Sequence, residues 1–214
     1  MEHGSSLPLL AEYTASIGIA LSNEQLQAFQ TYLVQLQLWN RSTNLTSITD
    51  AEDIVAKHFI DSIAALQAET MAIGARVLDV GSGAGFPGIP LHVARPDLHV
   101  ALLEPAQKKA SFLHFIAGSL HLDRVKVYNE TFERFMVRHR LQRFEYIVTR
   151  ALRYDVILAH GRALLNPGGK IILYLSQPFE AGQWSSDWVV AKQHQFNLPR
   201  GKGSRSIAVV VPAV

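Results

Sequence analysis

The chain has 214 residues, 48% of them hydrophobic, a mean hydropathy of +0.10 and a net charge of +2. These values predict one soluble globular domain and exclude a membrane span, since no apolar run approaches the roughly 18 residues that a span needs. The absence of cysteine excludes disulfides and thiolate chemistry, and the start of the chain lacks the basic region of a signal peptide, so we expect a cytoplasmic protein.

Two helices are the first predicted elements. Ser22 and Gln25 form a capping-box pattern, and the apolar residues that follow, spaced by three and four, predict a helix that ends near Trp39. After a polar connection, Asp50 is placed to cap a second helix that runs to about Gln67. We expect these helices to form an extension that packs on the core of the domain.

Short strands and helices then alternate along the chain. Segments rich in Val, Leu and Ile are typical of strands buried on both faces, and their alternation with helices predicts an α/β fold with a mostly parallel sheet. We place the helical extension in residues 1–70 and the core in residues 71–214. The predicted strands are Arg76–Val80, Val100–Leu103, Val125–Tyr128, Tyr146–Thr149, Lys170–Leu175, Val189–Phe196 and Ser206–Val211, and the predicted helices are Pro87–Ala94, Ala106–His121, Glu130–His139 and Tyr154–Leu165.

A glycine-rich stretch follows the first predicted strand: Val77-Leu-Asp-Val-Gly-Ser-Gly-Ala-Gly-Phe-Pro-Gly88. Because glycine has no Cβ, a ligand can approach its backbone closely, and ligands of open α/β sheets lie beyond the carboxyl ends of the strands. Glu104 ends the next strand, where a carboxylate can accept hydrogen bonds from ribose hydroxyls. The stretch therefore predicts a cofactor with a ribose, and by itself it also fits a dinucleotide-binding fold.

Further features favour methyl transfer over hydride transfer. Asp79, two residues before Gly81, gives the pattern Asp-x-Gly-x-Gly-x-Gly, which resembles the first motif of class I methyltransferases. Asn166-Pro-Gly-Gly169 resembles the loop before the fifth strand of that superfamily, and no constellation for hydride transfer is evident. A nicotinamide oxidoreductase of similar fold and a cofactor-binding assembly factor without catalysis are the alternatives.

The longer stretch Val77 to Leu91 resembles the signature of the ribosomal RNA guanine-N7 methyltransferases, also called glucose-inhibited division protein B. The resemblance runs from about Leu26 to Val211. It implies a Rossmann-like class I methyltransferase fold, S-adenosyl-L-methionine as cofactor, and methylation of N7 of one guanine in small-subunit (16S) ribosomal RNA. We also expect a monomer that binds neither a metal nor a membrane. The other residues that carry it are Trp39-Asn40, Asn44-Leu-Thr46, Ile48, Lys57-His58, Asp61-Ser62, Ala94-Arg-Pro-Asp97, Leu102-Leu-Glu104, Thr149-Arg-Ala151 and Asn166-Pro-Gly-Gly169.

The glycine motif and the resemblance together assign candidate site residues. Phe132 stands where the family usually has Glu, so we expect it to offer its ring face to the adenine. The candidate catalytic residues are Arg150, His58 and Asn40. The candidate cofactor contacts are Asp79, Gly81, Gly83, Gly85, Phe86, Glu104, Thr131, Phe132 and Arg150.

Basic residues concentrate toward the C-terminal side of the sequence. Residues 134–153 contain six arginines and one acid, and residues 189–214 contain no acid, which suggests a polyanionic partner, although solvated surface charge explains the pattern equally well. The candidate RNA contacts are Arg200, Lys202 and Arg205, in a glycine-rich loop suited to phosphate. The chain departs from the family at Leu175-Ser176, where Lys-Gly is usual, at Ser206, where His is usual, and at Glu104, where Asp is usual.

Several polar residues have a structural alternative to a role in the site. His58 and Asp61 are three apart on one helical face, so they either line the pocket or pair with each other. Asn40 and Asn44 fit a site role or a turn in which they bond to local backbone. Trp39 is expected in the core.

Overall fold

One seven-stranded sheet runs through the computed structural model, which describes residues 7–150, 154–178 and 187–213. Its strands are β1 Arg76–Val80, β2 His99–Leu103, β3 Val125–Tyr128, β4 Phe144–Thr149, β5 Leu165–Leu175, β6 Trp188–Asn197 and β7 Ser204–Pro212. The spatial order is β3-β2-β1-β4-β5-β7-β6; the first five are parallel, and β7 pairs antiparallel with both β5 and β6. The predicted mostly parallel sheet is confirmed, and each predicted strand is present.

Helices cover both faces of the sheet. They are α1 Leu7–Ser16, α2 Asn23–Thr43, α3 Ala51–Ile54, a π-helical segment Val55–Ile60, α4 Asp61–Ile63, α5 Ala65–Ala68, α6 Gly88–Ala94, α7 Gln107–Ser119, α8 Phe132–Arg138 and α9 Tyr154–His160, with 3₁₀ turns at Gly161–Leu164 and Pro199–Gly201. Elements α1 to α7 share one apolar cluster with one face of the sheet, and α8 and α9 share a second cluster with the other face. The N-terminal helices therefore pack on the sheet, while a domain boundary near residue 70 stays a prediction.

The boundaries of α2 follow from local hydrogen bonds. The predicted capping box is present: Gln25 N–H donates to Ser22 Oγ, and Ser22 N–H donates to Gln25 Oε1. The helix continues past Trp39, the predicted end, to Thr43. The prediction stopped early because the apolar residues that mark the helix in the sequence end before its last turn. The C-cap of α2 is Asn44, whose φ of 49° is left-handed. The backbone of Asn44 thus forms the turn that ends α2, while a role of its side chain in the site stays a prediction.

The second predicted helix is interrupted by the π-helical segment Val55–Ile60. The Asp61 N–H donates to the Ala56 carbonyl, five residues back, as a π-helix requires. This wider turn contains Lys57 and His58 and is followed directly by Asp61. The spacing of apolar residues cannot distinguish it from an α-helix, so the sequence indicated one continuous element.

Other differences lie near β5 and at the start of the chain. The helix predicted to reach Leu165 ends at His160 and tightens into a 3₁₀ turn. Residues 166–169 form a bulge within β5, where the register against β4 shifts. Helix α1 was not predicted, because its short apolar stretch lacks a clear helical period. The motif residue Ala151 lies outside the described residues.

Candidate functional site

The glycine-rich loop begins where β1 ends. The Gly81 N–H donates to the Leu103 carbonyl over 2.9 Å, which ties the loop to the end of β2. Gly83 has a φ of 59°, in the region that favours glycine, and the nearest atom to a Cβ built on it is the Gly81 carbonyl oxygen at 4.0 Å. The Gly83 backbone is therefore open to a ligand.

Two buried side chains hold this loop from beneath. The Tyr32 hydroxyl of α2 donates to the Ala84 carbonyl over 2.5 Å, and a Cβ on Gly85 would come within 2.6 Å of that hydroxyl oxygen. Asp79, fully buried, accepts a hydrogen bond from the Gly88 N–H over 2.8 Å, and burial raises the pKa of its carboxyl to about 7. Asp79, expected as a cofactor contact, thus lies below the loop and shapes it.

Glu104 holds the loop from the side. Its Oε2 accepts from the Gly83 N–H and its Oε1 accepts from the Ala106 N–H, each over 2.8 Å, and the residue is 5% exposed. A carboxylate oxygen carries two acceptor sites, so each oxygen keeps one for a ribose hydroxyl. Glu104 can therefore orient the loop and bind the cofactor with the same carboxylate.

The substitution Glu104→Gln is expected to weaken S-adenosylmethionine binding by about 1–3 kcal/mol, because an amide NH₂ cannot accept from a backbone N–H or from a ribose hydroxyl. Isothermal titration calorimetry measures this change. Glu69→Gln is the matched control, since Glu69 is equally buried but pairs with Lys170 and Lys192. An unchanged dissociation constant for Glu104→Gln would remove Glu104 from the site.

A groove of about 230 Å³ opens beside the glycine loop. Gly81 and Leu103 form one wall, and Thr131 and Phe132 form part of the opposite wall. Thr131 caps α8, where its Oγ1 accepts from the Arg134 N–H, and this fixes Phe132 at the start of that helix. The Gly81 backbone and the apolar wall of this groove, with Glu104 next in the chain after Leu103, fit the adenosine part of S-adenosylmethionine.

A second cleft, of about 380 Å³, lies at the ends of β4 and β5. Arg150 follows β4 and is fixed there by three acceptors: the Lys57 carbonyl at 3.0 Å, Asp61 Oδ2 at 3.2 Å and His58 Nδ1 at 3.0 Å. His58 and Asp61 therefore both line the cleft and meet through Arg150. Burial raises the pKa of the Asp61 carboxyl, and Arg150 opposes that rise.

The hydrogen bonds of His58 define its tautomer. Arginine can only donate, so Nδ1 is the acceptor, and the proton of the neutral ring lies on Nε2, 2.9 Å from Thr46 Oγ1. Burial, together with the charge of Arg150, lowers the pKa of His58 to about 3. The ring stacks on Phe86, with centroids 4.4 Å apart, and the Arg150 guanidinium lies 5.2 Å from the same ring. Phe86 thus connects the cofactor loop to the cleft.

Asn40, expected as a catalytic residue, contacts Thr46, and Thr46 in turn contacts His58. Its side chain donates to the Thr46 carbonyl over 2.8 Å and accepts from the Thr46 N–H over 2.9 Å. Its contacts therefore favour a positioning role through Thr46. The sequence did not single out Thr46 or Tyr32 as site residues; Thr46 was visible only as part of the motif Asn44-Leu-Thr46.

Removing the hydroxyl of Thr46 tests this positioning role. Thr46→Val leaves the buried Nε2–H of His58 without an acceptor, which costs about 1–3 kcal/mol. We expect a roughly tenfold or larger fall in the single-turnover rate of methyl transfer, with cofactor affinity nearly unchanged. Thr46→Ser keeps the hydroxyl and should restore the rate. Equal rates for the wild-type and valine proteins would contradict the role.

The three candidate RNA contacts differ in their surroundings. Arg200 lies 2.5 Å from Glu52, and Lys202 pairs with both Glu52 and Asp53. Arg205 Nε lies 3.7 Å from Asp61 and lines the cleft. RNA contact by these residues stays a prediction, and at Arg200 and Lys202 phosphate would have to compete with carboxylates already in place.

Comparisons with known proteins find relatives along most of the chain. A family model described as GidB, rRNA small subunit methyltransferase G, matches residues 25–207. Ribosomal RNA small subunit methyltransferase G of Sorangium cellulosum is 37% identical over 185 residues, which cover 86% of this chain and 77% of that protein. The protein of the same name from Chloroflexus aggregans is 34% identical over 212 residues, covering 98% and 86%.

Solved structures agree at the level of fold. Precorrin-6y C5,15-methyltransferase from Geobacter metallireducens is 12% identical and superposes with a TM-score of 0.53 over 80% of this chain and 92% of that one. TrmN from Thermus thermophilus is 17% identical, with a TM-score of 0.56 over 72% and 49%. The predicted class I methyltransferase fold is confirmed.

Proposed function

Because the chain belongs to the rRNA small subunit methyltransferase G family, we infer that it uses S-adenosylmethionine to methylate N7 of a guanine in small-subunit (16S) ribosomal RNA. The family match over residues 25–207 carries this conclusion, since it includes both the glycine loop and the cleft. The geometry of the loop and the cleft supports a proposed role for each of the following residues.

The cofactor supplies an electrophilic methyl group on a sulfonium. Guanine N7 has its own lone pair, so no proton has to leave before it attacks, and the protein needs no general base. Its contribution is to hold the two reactants in line and to fix the charges around them. His58, neutral and with Nδ1 already occupied, serves as a rigid part of the cleft wall.

Arg150 is the group we propose to orient the guanine. Its guanidinium is fixed by Lys57, His58 and Asp61 and lines the cleft, where it can donate to O6, the acceptor beside N7. N7 itself stays free for attack. Gly81, Gly83, Glu104 and Phe132 are proposed to hold the cofactor in the adjoining groove.

Location and assembly state are less constrained. Across the described residues, no helix combines the length and the apolar character needed to cross a bilayer. A cytoplasmic location and a monomeric state stay predictions.

Transfer of label from tritiated S-adenosylmethionine tests the proposed function. The acceptor is small-subunit RNA from cells that lack this protein, and mass spectrometry of nuclease fragments locates the methyl group. We expect one labelled guanine, methylated at N7. A methyl group on an exocyclic amine or a ribose would overturn the N7 assignment, and cofactor binding without any transfer would favour an assembly factor. Calorimetry with NAD tests the oxidoreductase alternative.

A further inference from the structure

The edge of the sheet opposite the site is strongly basic. The parallel strands begin at this edge, and five cations lie on it, which we call the basic edge: Arg76, Arg124, Lys126, Arg143 and Arg162. Two grooves, of about 250 and 560 Å³, run along it. Among the described residues that line them, the only carboxylate is Asp123.

The cations of the basic edge lack acidic partners. Within the described part of the chain, no carboxylate lies within 4.0 Å of the charged group of any of the five, whereas Arg200 and Lys202 are both held by acids. The Glu145 carboxylate accepts from the backbone N–H of Arg76, over 2.7 Å, and not from its guanidinium. Arg143 donates only to the carbonyls of Arg140 and Gln142, and Arg124 to that of Asp97. Backbone carbonyls do not neutralise these charges, so a positive potential persists along the edge.

The strands set the spacing of the charges. Arg124 and Lys126 lie at β3, Arg76 at β1, Arg143 at the start of β4 and Arg162 in the turn before β5. In the order β3-β2-β1-β4-β5, the row therefore spans about 19 Å at ~4.8 Å per strand, with β2 carrying none of the five. The two aromatic rings in the first groove are already covered: Arg76 lies 5.2 Å from the Phe144 ring centroid, and Lys126 lies 5.2 Å from that of Tyr128. Among the described residues that line this groove, the exposed His99 is thus the one ring without a cation over it, which leaves little surface on which unpaired bases would stack.

We propose that the basic edge binds the phosphate backbone of a double-helical part of the substrate RNA, as a second contact separate from the methyl-transfer cleft. The inference rests on the proposed function. A row of cations without acidic partners, with little aromatic surface for stacking, suits RNA duplex, which proteins recognise by its shape and phosphates. The strands between the two surfaces are short, about 17 Å for the five residues of β1, so one folded RNA can reach both.

Salt dependence of RNA binding tests the proposal. The triple variant Arg76→Gln, Arg124→Gln, Lys126→Gln loses three phosphate contacts. For duplex nucleic acid, each contact contributes roughly 0.9 units to the slope of log K against log salt concentration. The plot of log K against log salt concentration should therefore flatten by about 2–3 units, and affinity for 16S RNA at low salt should fall at least about tenfold. Cofactor affinity and the single-turnover rate at saturating RNA should match the wild type.

A charge-retaining variant, Arg76→Lys, Arg124→Lys, Lys126→Arg, is the matched control and should keep the wild-type slope. Should the triple variant fail to unfold cooperatively, the pair Arg124→Gln, Lys126→Gln replaces it, with an expected flattening of about 1–2 units. A slope equal to that of the wild type would overturn the proposal and favour an acidic protein as partner. A flattened slope in the charge-retaining control would overturn it as well.

The proposed function is tested separately, by the transfer of the methyl group to N7. If the wild-type protein transfers no methyl group to N7 yet shows the steep salt slope, the RNA contact stands and the chemistry is wrong. If methyl transfer to N7 is found and the slopes of wild type and triple variant agree, the basic edge alone is refuted.

Discussion

Replacing Gly83 with valine is expected to weaken S-adenosylmethionine binding strongly while leaving the protein folded. A Cβ at this position has no protein atom closer than the Gly81 carbonyl oxygen at 4.0 Å, so the branched side chain occupies the volume proposed for the ligand. Steric overlap of this kind costs about 1–3 kcal/mol of binding free energy, which predicts a rise in Kd of roughly 5- to 150-fold, measured by calorimetry. The left-handed φ of 59° adds roughly 1–2 kcal/mol of strain with or without ligand, and this strain lowers the free energy of unfolding instead.

Gly74→Val separates ligand exclusion from backbone strain. Gly74 has a φ of 70°, and a Cβ added to it would have no neighbouring atom within 4 Å, so valine there carries the same strain away from the site. Both variants should lose a similar free energy of unfolding, and only Gly83→Val should lose cofactor affinity. Wild-type affinity in a cooperatively folded Gly83→Val protein would refute the cofactor assignment of the loop.

RNA carrying 7-deazaguanine at the target position is expected to bind with nearly wild-type affinity and to accept no methyl group. The substitution replaces only the nucleophilic nitrogen, while O6 remains for Arg150. Complete loss of transfer, measured with labelled cofactor in a single turnover, is the expected result. Methylation of the deaza substrate would exclude N7 as the acceptor.

The same premise predicts a single-turnover rate that is nearly flat between about pH 6 and 9, measured on the natural RNA at saturating cofactor. His58, with a pKa of about 3, does not titrate in that range. Asp79, with a pKa of about 7, does titrate, but it lies beneath the loop and is expected to alter cofactor affinity instead of the rate. A rate that rises steeply with pH would indicate an acceptor that must first lose a proton.

His58 should affect stability in a lower pH range. The unfolded ring titrates near its usual pKa of about 6.5, whereas the folded ring stays neutral down to about pH 3. Its contribution to the free energy of unfolding is therefore complete above about pH 6.5 and is lost progressively as the pH falls toward 3.

The strands and the glycine loop could be predicted because their signals are local. Runs of Val, Leu and Ile mark buried strands, and the spacing from Asp79 to Gly85 marks the loop. The ion pair of Arg200 with Glu52 could not be predicted, because its partners are 148 residues apart and only the fold brings them together. Thr46 was missed as a site residue for the same reason, since its role depends on the π-helical segment that turns His58 toward it.

The contact between Tyr32 and the glycine loop restricts position 85 to glycine from two directions. A Cβ there would lie within 2.6 Å of both the Tyr32 hydroxyl and the Ile89 side chain, so both would have to move, and the φ of 102° would strain the new residue even then. The first neighbour belongs to α2 and the second to α6, so the N-terminal helices and the helix after the loop jointly fix the shape of the loop.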